Sequence, residues 1–197
     1  FAYPHNGKGN VYWERKDYEK ALVAYDRAIA LDPNFAYPHN GKGNVYWERK
    51  DYEKALVAYD RAIALDPNFA YPHNGKGNVY WERKDYVKAL AAYDCDIALD
   101  QYDPYPYNGK GNVYRNLKKY EKAQTAYDKA ISLDPSYSTP YNGKGNVYRD
   151  LKVYDMALIE YNKAIEINPN EPIYHRNKGD VLFALNKKSE ALTSYDK

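Results

Sequence analysis

The sequence predicts an all-α solenoid built from repeated two-helix units, and three observations predict it. Residues 1–34 and 35–68 are the same string, FAYPHNGKGNVYWERKDYEKALVAYDRAIALDPN, and residues 69–102 follow it closely. The pair Lys-Gly recurs at Lys8-Gly9, Lys42-Gly43, Lys76-Gly77, Lys110-Gly111, Lys144-Gly145 and Lys178-Gly179, always 34 apart, so the frame continues without insertion or deletion. Within each unit, apolar residues recur at helical spacing. A fixed period of this size marks a solenoid in which each unit buries its apolar face only against its neighbours. The frame gives repeats at 1–34, 35–68, 69–102, 103–136 and 137–170 and a partial one at 171–197, expected to form a single array.

The first helix of each unit is expected from the proline onward. Pro4 sits where a proline is tolerated, in the first turn of a helix running to about Lys16. Thr139-Pro140 offers the clearest start, an N-cap followed by proline at the first helical position. His5, Lys8, Gly9 and Tyr12 share one face of this helix. The second helix opens near Asp17 and carries Tyr18, Ala21, Leu22, Tyr25, Ala28 and Ile29, an i, i+3, i+4 stripe. Asp32-Pro33-Asn34 ends it, because the residue before proline is pushed away from helical angles. Gly9 and the alanines allow close helix–helix approach while tyrosines fill the larger gaps. Most of the excess of 25 Tyr over 4 Phe is therefore assigned to core and seam.

The third repeat breaks its own rule. Asp96 stands at the small core position of Ala28 and Ala62, Cys95 replaces Arg27, and Gln101 replaces Pro33. Without the proline, the second helix is expected to run on toward Asp103-Pro104. A carboxylate at a packed seam costs energy unless paired or protonated. Repeats three and four are thus expected to meet at the weakest junction.

Composition excludes several classes. With 197 residues, 44% hydrophobic and 28% charged, the chain suits a folded protein of one or two domains. Mean hydropathy is −0.89, and nothing approaches the roughly 18 consecutive apolar residues of a membrane span. A net charge of +2 leaves little pull toward nucleic acid, whose binding leans on many Lys/Arg–phosphate contacts. The single cysteine, Cys95, rules out an intramolecular disulfide and fits a reducing compartment, so an intracellular, cytoplasmic location is expected.

Catalytic chemistry finds no foothold. His5, His39 and His73 occupy one position in successive repeats, and packed helices lie about 8–10 Å apart, too far for side chains to converge on one ion. The Gly-Lys-Gly string lacks the GxxxxGK[ST] spacing and falls inside a helix. There is no HExxH and no CxxC. No catalytic residue, metal or cofactor is expected.

The repeat resembles the tetratricopeptide repeat. That family's pattern of W-x2-L-G-x2-Y, A-x3-F and P falls on His5, Lys8, Gly9, Tyr12, Ala21, Tyr25 and Pro33. Gly, Tyr, Ala and Pro match, Tyr25 is an aromatic replacement, and His5 and Lys8 depart from Trp and Leu. Lys8 can lay its methylene stem on the core and extend its ammonium to water. The resemblance covers the whole chain. It implies a right-handed superhelix of antiparallel helix pairs, with the first helices lining a concave groove that holds a peptide or partner protein.

On that resemblance, the inward positions of the first helix are Tyr3, Asn6, Gly7, Asn10, Trp13 and Glu14. Asn6 and Asn10 are four apart and face the same way. The pair recurs as Asn40/Asn44, Asn74/Asn78, Asn108/Asn112 and Asn142/Asn146. An amide offers donors and an acceptor, so such a ladder suits extended peptide backbone with low sequence selectivity. The next inward position divides the array: Trp13, Trp47 and Trp81 precede Glu14, Glu48 and Glu82, whereas Arg115 and Arg149 precede Asn116 and Asp150. Exposed tryptophans and arginines are favoured binding residues. The alternative is that Trp13 packs onto the adjacent helix and Arg115 solvates an edge. The sixth unit carries Phe183, with Arg176 a turn or two earlier. A chaperone-type carboxylate clamp is not expected, because its lysine positions hold Asn6 and Tyr71.

The expected function is a non-enzymatic scaffold for protein or peptide. One rival is a structural array stacking head-to-tail, since the sequence opens at a repeat boundary and stops inside a second helix without a polar cap. Another is the targeting arm of a larger enzyme, the sequence being a fragment of it.

Overall fold

The computed structural model describes Phe1–Lys197 as twelve α-helices without a strand. The chain divides into two compact units, Phe1–Gln101 and Tyr102–Lys197. The first holds α1 (Ala2–Glu14), α2 (Tyr18–Leu31), α3 (Ala36–Glu48), α4 (Tyr52–Leu65), α5 (Tyr71–Glu82) and α6 (Tyr86–Leu99). The second holds α7 (Pro104–Asn116), α8 (Tyr120–Leu133), α9 (Ser138–Asp150), α10 (Tyr154–Ile167), α11 (Pro172–Ala184) and α12 (Lys188–Tyr195). Odd-numbered helices pack on the even-numbered helix that follows, and within each unit one pair stacks on the next. This is the all-α repeat solenoid that the period predicts.

Local chemistry sets the helix ends. Asp17 caps α2, its carboxylate accepting from the Lys20 N–H at 3.4 Å and the Lys20 ammonium at 2.6 Å. The lysine's hydrogen bond holds the Asp17 carboxyl below the usual carboxylate range. Asp32 leaves the helix in an extended conformation, and its carboxylate accepts from the Asn34 N–H at 3.0 Å, a turn repeated at Asp66 with Asn68. The first helix stops at Glu14, two residues before Lys16. Lys16 itself lies at φ 59°, in the left-handed region. Its N–H reaches Trp13 O at 2.8 Å and the Asp17 N–H reaches Tyr12 O at 2.8 Å, so two otherwise orphaned carbonyls are satisfied.

Two predicted ends move. α9 begins at Ser138 after Tyr137, so Thr139 lies inside the helix and Pro140 at its third position. Proline remains in the first turn, where its missing N–H has no carbonyl to meet. α6 does not run on: it ends at Leu99, with Asp100 extended, although Gln101 has replaced the proline. The reason lies downstream. The Asp103 carboxylate accepts from the Tyr105 N–H at 2.8 Å, and Pro104 takes the first position of α7, so the chain must straighten before that start. Asp96 is fully buried in α6, and the division between units falls just after that helix.

Within each unit the core is a column of tyrosines held between glycines. Tyr25, Tyr59, Tyr93, Tyr127 and Tyr161 are each almost wholly buried. A Cβ on Gly9 would lie 2.4 Å from the Tyr25 ring, and one on Gly41 would meet the same ring at 2.4 Å. Glycine is required here because both helix backbones touch the ring. Around it pack Ala21 and Val45, with Tyr12, Trp13, Tyr18 and Leu22 at the margin. Most tyrosines lie in core and seam as expected, the exposed ones being Tyr3, Tyr37, Tyr71, Tyr102, Tyr105 and Tyr195. Tyr3 and Tyr37 instead stack on Phe35 and Phe69, with centroids 4.6 and 4.5 Å apart. Lys42, in the position of Lys8, reaches Asp26 of the preceding pair at 2.6 Å. Such exposed pairs contribute at most about 1 kcal/mol each and serve mainly to fix register.

Candidate functional site

Within the first unit, α1 and α3 lie side by side and leave a cleft of about 220 Å³. Its lining gathers Asn6, Asn10, Trp13 and Glu14 from one repeat with Asn40 and Asn44 from the next. The inward face expected of the first helices is thus brought together across one repeat boundary. No cation lines the cleft, and Glu14 makes it mildly acidic.

The two asparagines of each pair differ in kind. The Tyr25 hydroxyl donates to Asn10 Oδ1 at 2.8 Å, and the same bond joins Tyr59 to Asn44, Tyr93 to Asn78, Tyr127 to Asn112 and Tyr161 to Asn146. Burial, with the Glu14 charge second, pushes the Tyr25 hydroxyl up to about 12, so it stays protonated and donates at neutral pH. The second rung therefore has one acceptor lone pair taken and presents its amide hydrogens. The two rungs are thus not equivalent. The first rung lies deeper: the Oδ1 atoms of Asn6, Asn40, Asn74 and Asn108 are buried without an in-chain partner. Asn142 departs from them, accepting from Asn177 Nδ2 at 2.8 Å.

Tryptophans and arginines are less free than the sequence suggests. Trp13 and Trp47 are half-buried against the tyrosine cores, Trp81 is half-buried too, and all three indole nitrogens are enclosed without a partner. Trp13 lines the cleft between α1 and α3 rather than standing out of it. In the second unit Arg115 grips the chain's own Asp150, with Nε–Oδ2 at 2.8 Å and a second bond of 3.3 Å. Arg149 donates to Asn177 Oδ1 at 3.4 Å. Both guanidiniums are engaged inside the unit, which corrects the picture of an arginine half open to a ligand carboxylate. The sequence places Asp150 on the inward face without showing that it meets Arg115; the signal is that the fifth repeat has Asp where the first three have Glu, one position after Trp gives way to Arg.

A stack of helix pairs presenting a lined cleft defines a helical-repeat scaffold for protein partners. Family models described as TPR repeat match residues 9–49, 43–83 and 145–186, and one described as Tetratricopeptide repeat matches 104–137. The chain belongs to the tetratricopeptide repeat family, whose fold is that of a protein–protein interaction scaffold and is generally non-catalytic. Comparison with curated proteins gives no match. Among solved structures, the APC/C hetero-tetramer Cut9-Hcn1 is similar at 22% identity and TM-score 0.90, over 98% of this chain and 38% of that one. PilF of Pseudomonas aeruginosa is similar at 18% identity and TM-score 0.80, over 98% and 88% of the two chains. YrrB, described as a TPR protein with an unusual peptide-binding site, is similar at 22% and TM-score 0.59, over 88% and 89%. These likenesses are of fold. The chain spans well under half of the Cut9-Hcn1 chain. No helix is long and apolar enough to cross a membrane.

Proposed function

We propose that the chain is a non-enzymatic binding module that holds an extended peptide segment in the cleft between α1 and α3. The observation that carries this reading is the fixed amide of the second rung. With Oδ1 of Asn10 and Asn44 tied to Tyr25 and Tyr59, their Nδ2 groups are oriented in advance to donate to peptide carbonyls. Donors repeated on successive helices recognise backbone whatever its side chains, and Glu14 disfavours acidic ligands. The description of YrrB as having a peptide-binding site supports the same use of the fold.

Asn10→Ala/Asn44→Ala tests the reading, because it removes the two Nδ2 donors on which it rests. In a peptide-library pulldown, the double variant is expected to lose at least tenfold of the parent's specific capture while circular dichroism stays unchanged. Undiminished capture would exclude the cleft as the binding surface. Arg115→Ala is expected to leave capture intact.

Head-to-tail association of copies is a second reading, with an observation of its own. Gly41, Gly75 and Gly143 each receive the tyrosine of the preceding pair, whereas the equivalent Gly7 has nothing within 4 Å, and Tyr195 is 44% exposed. Val11 is likewise open although its counterpart Val45 is buried. Docking Tyr195 of one copy on Gly7 of another would repeat the internal contact. Gly7→Leu adds bulk that a lone copy tolerates and a stacked one does not. Sedimentation is expected to show concentration-dependent association of the parent that this variant abolishes; a parent monomeric at all concentrations rules the reading out.

A further inference from the structure

We infer that the first unit carries a second binding surface, in the clefts between the two helices of its first and second pairs. Its occupant is an acidic segment of a partner protein with an apolar side chain beside the carboxylate. Between α3 and α4 a cleft of about 450 Å³ is lined by His39, Lys42, Tyr46, Lys54, Val57 and Arg61. Its copy between α1 and α2, about 410 Å³, is lined by His5, Tyr12, Lys20, Val23 and Arg27. Neither shares a residue with the asparagine cleft, so this inference stands apart from the groove reading.

The charges at these clefts do not cancel. Lys20 is paired with Asp17 and Lys54 with Asp51, at 2.6 and 2.7 Å. Lys42 is paired with Asp26, and the acidic members Glu19 and Glu53 are taken by Arg49 and Arg83 at 2.7 Å. That leaves Arg27 and Arg61, which make no ion pair or hydrogen bond inside the chain. One uncompensated guanidinium therefore stands at each cleft, ready for two-pronged pairing with a carboxylate.

Beside it lies an apolar floor. Val23 and Val57 are each 70% exposed, while Ala21, Ala24 and Ala28 of α2 and their counterparts in α4 are buried. The Lys20 and Lys54 ammoniums sit 5.8 and 5.7 Å from the centroids of Tyr12 and Tyr46, giving each cleft an aromatic wall. The volumes leave room for an apolar side chain together with the neighbouring carboxylate. His39 Nε2 is enclosed without a partner, and burial, then Arg61 and Lys42, hold its imidazole below the usual histidine range. The ring is thus neutral near pH 7, so the carboxylate preference rests on the guanidinium rather than on a second cation.

Two such clefts on neighbouring pairs favour a peptide over a small acid, because one chain reaching both gains from the linkage. The surface is confined to these pairs. In the third repeat Cys95 replaces the arginine, in the fourth Thr125 replaces the valine while Lys129 lies over the Tyr107 ring at 5.8 Å, and in the fifth Lys163 replaces the arginine and is paired with Glu166 at 3.0 Å.

The probe is a fluorescent peptide of alternating Asp and Leu, with an Asn-Leu peptide as its uncharged counterpart. The intact chain is expected to bind the Asp-Leu peptide at least tenfold more tightly, with the titration midpoint of His39 raised on binding. Arg27→Glu/Arg61→Glu is expected to lose at least tenfold, Arg27→Gln/Arg61→Gln somewhat less, and Asn6→Ala/Asn40→Ala nothing. Equal binding of both peptides, or unaltered binding by the arginine variants when circular dichroism shows them folded, would overturn the inference. Loss through the asparagine variant would place the peptide in the groove instead. Displacement by equimolar acetate would show that a lone carboxylate suffices, and would also overturn it.

Discussion

Gly43→Ala is expected to destabilise the first unit by about 1–3 kcal/mol, even though alanine is the better helix former. The new methyl group would lie 2.4 Å from Cε1 of Tyr59 and 2.5 Å from Cδ1. The ring cannot step aside, because Gly75 closes on its other edge, where a Cβ would stand 2.4 Å from Cζ. Any tilt also strains the 2.8 Å bond from the Tyr59 hydroxyl to Asn44. Gly7→Ala is the internal comparison. The substitution is the same and the helix position equivalent to that of Gly41, but nothing lies within 4 Å, so a gain of about 0.5–1 kcal/mol is expected from propensity. Urea unfolding of the two variants measures both. Equal effects would mean the column tolerates the methyl. Shortening the ring in Gly43→Ala/Tyr59→Leu should cost less than the two single changes summed, since each relieves the other.

That column explains what could be read in advance. The 34-residue frame fixes which glycines face which tyrosines, because a helix pair repeated without insertion must repeat its contacts. The cap at Asp17 and the stop at Asp32 follow from local hydrogen bonding, and both are present. The division of labour within each asparagine pair was written in the sequence less obviously. Asn10 and Tyr25 are 15 residues apart in every full repeat, and where Asn becomes Asp180 the Tyr195 hydroxyl still donates to it, at 3.0 Å. Periodicity places such residues on faces without saying which atoms meet. The same limit hid Arg115 and Asp150, 35 positions apart, whose pairing turns a supposed ligand grip into an internal bridge. The end of α6 differs from expectation for another reason: the helix start at Asp103-Pro104 ends α6 even without the proline.

The left-handed lysines were not legible at all, and they carry the largest gain. Lys16, Lys50, Lys84, Lys118 and Lys152 sit at φ between 57° and 61°, where an L side chain crowds the backbone. Each closes the turn between a first and a second helix, and none has a side-chain hydrogen bond or ion pair to lose. The sixth repeat places Asn186 there, at φ 62°, a residue that tolerates this region. Glycine removes the crowding but has more freedom to lose on folding, so the net gain per site is about 0.5–1 kcal/mol. The sites lie a full repeat apart and share no partners, so the five Lys→Gly changes together are expected to add about 2.5–5 kcal/mol. Because a solenoid's stability is close to a sum over repeats, the gain should appear stepwise as sites are added. Thermal unfolding of the single, triple and quintuple variants would show rising midpoints with unchanged helicity. A flat series would mean that glycine's freedom in the unfolded chain offsets the relief. Lys→Asn at the same positions separates those two effects, since asparagine tolerates the turn without glycine's entropy loss.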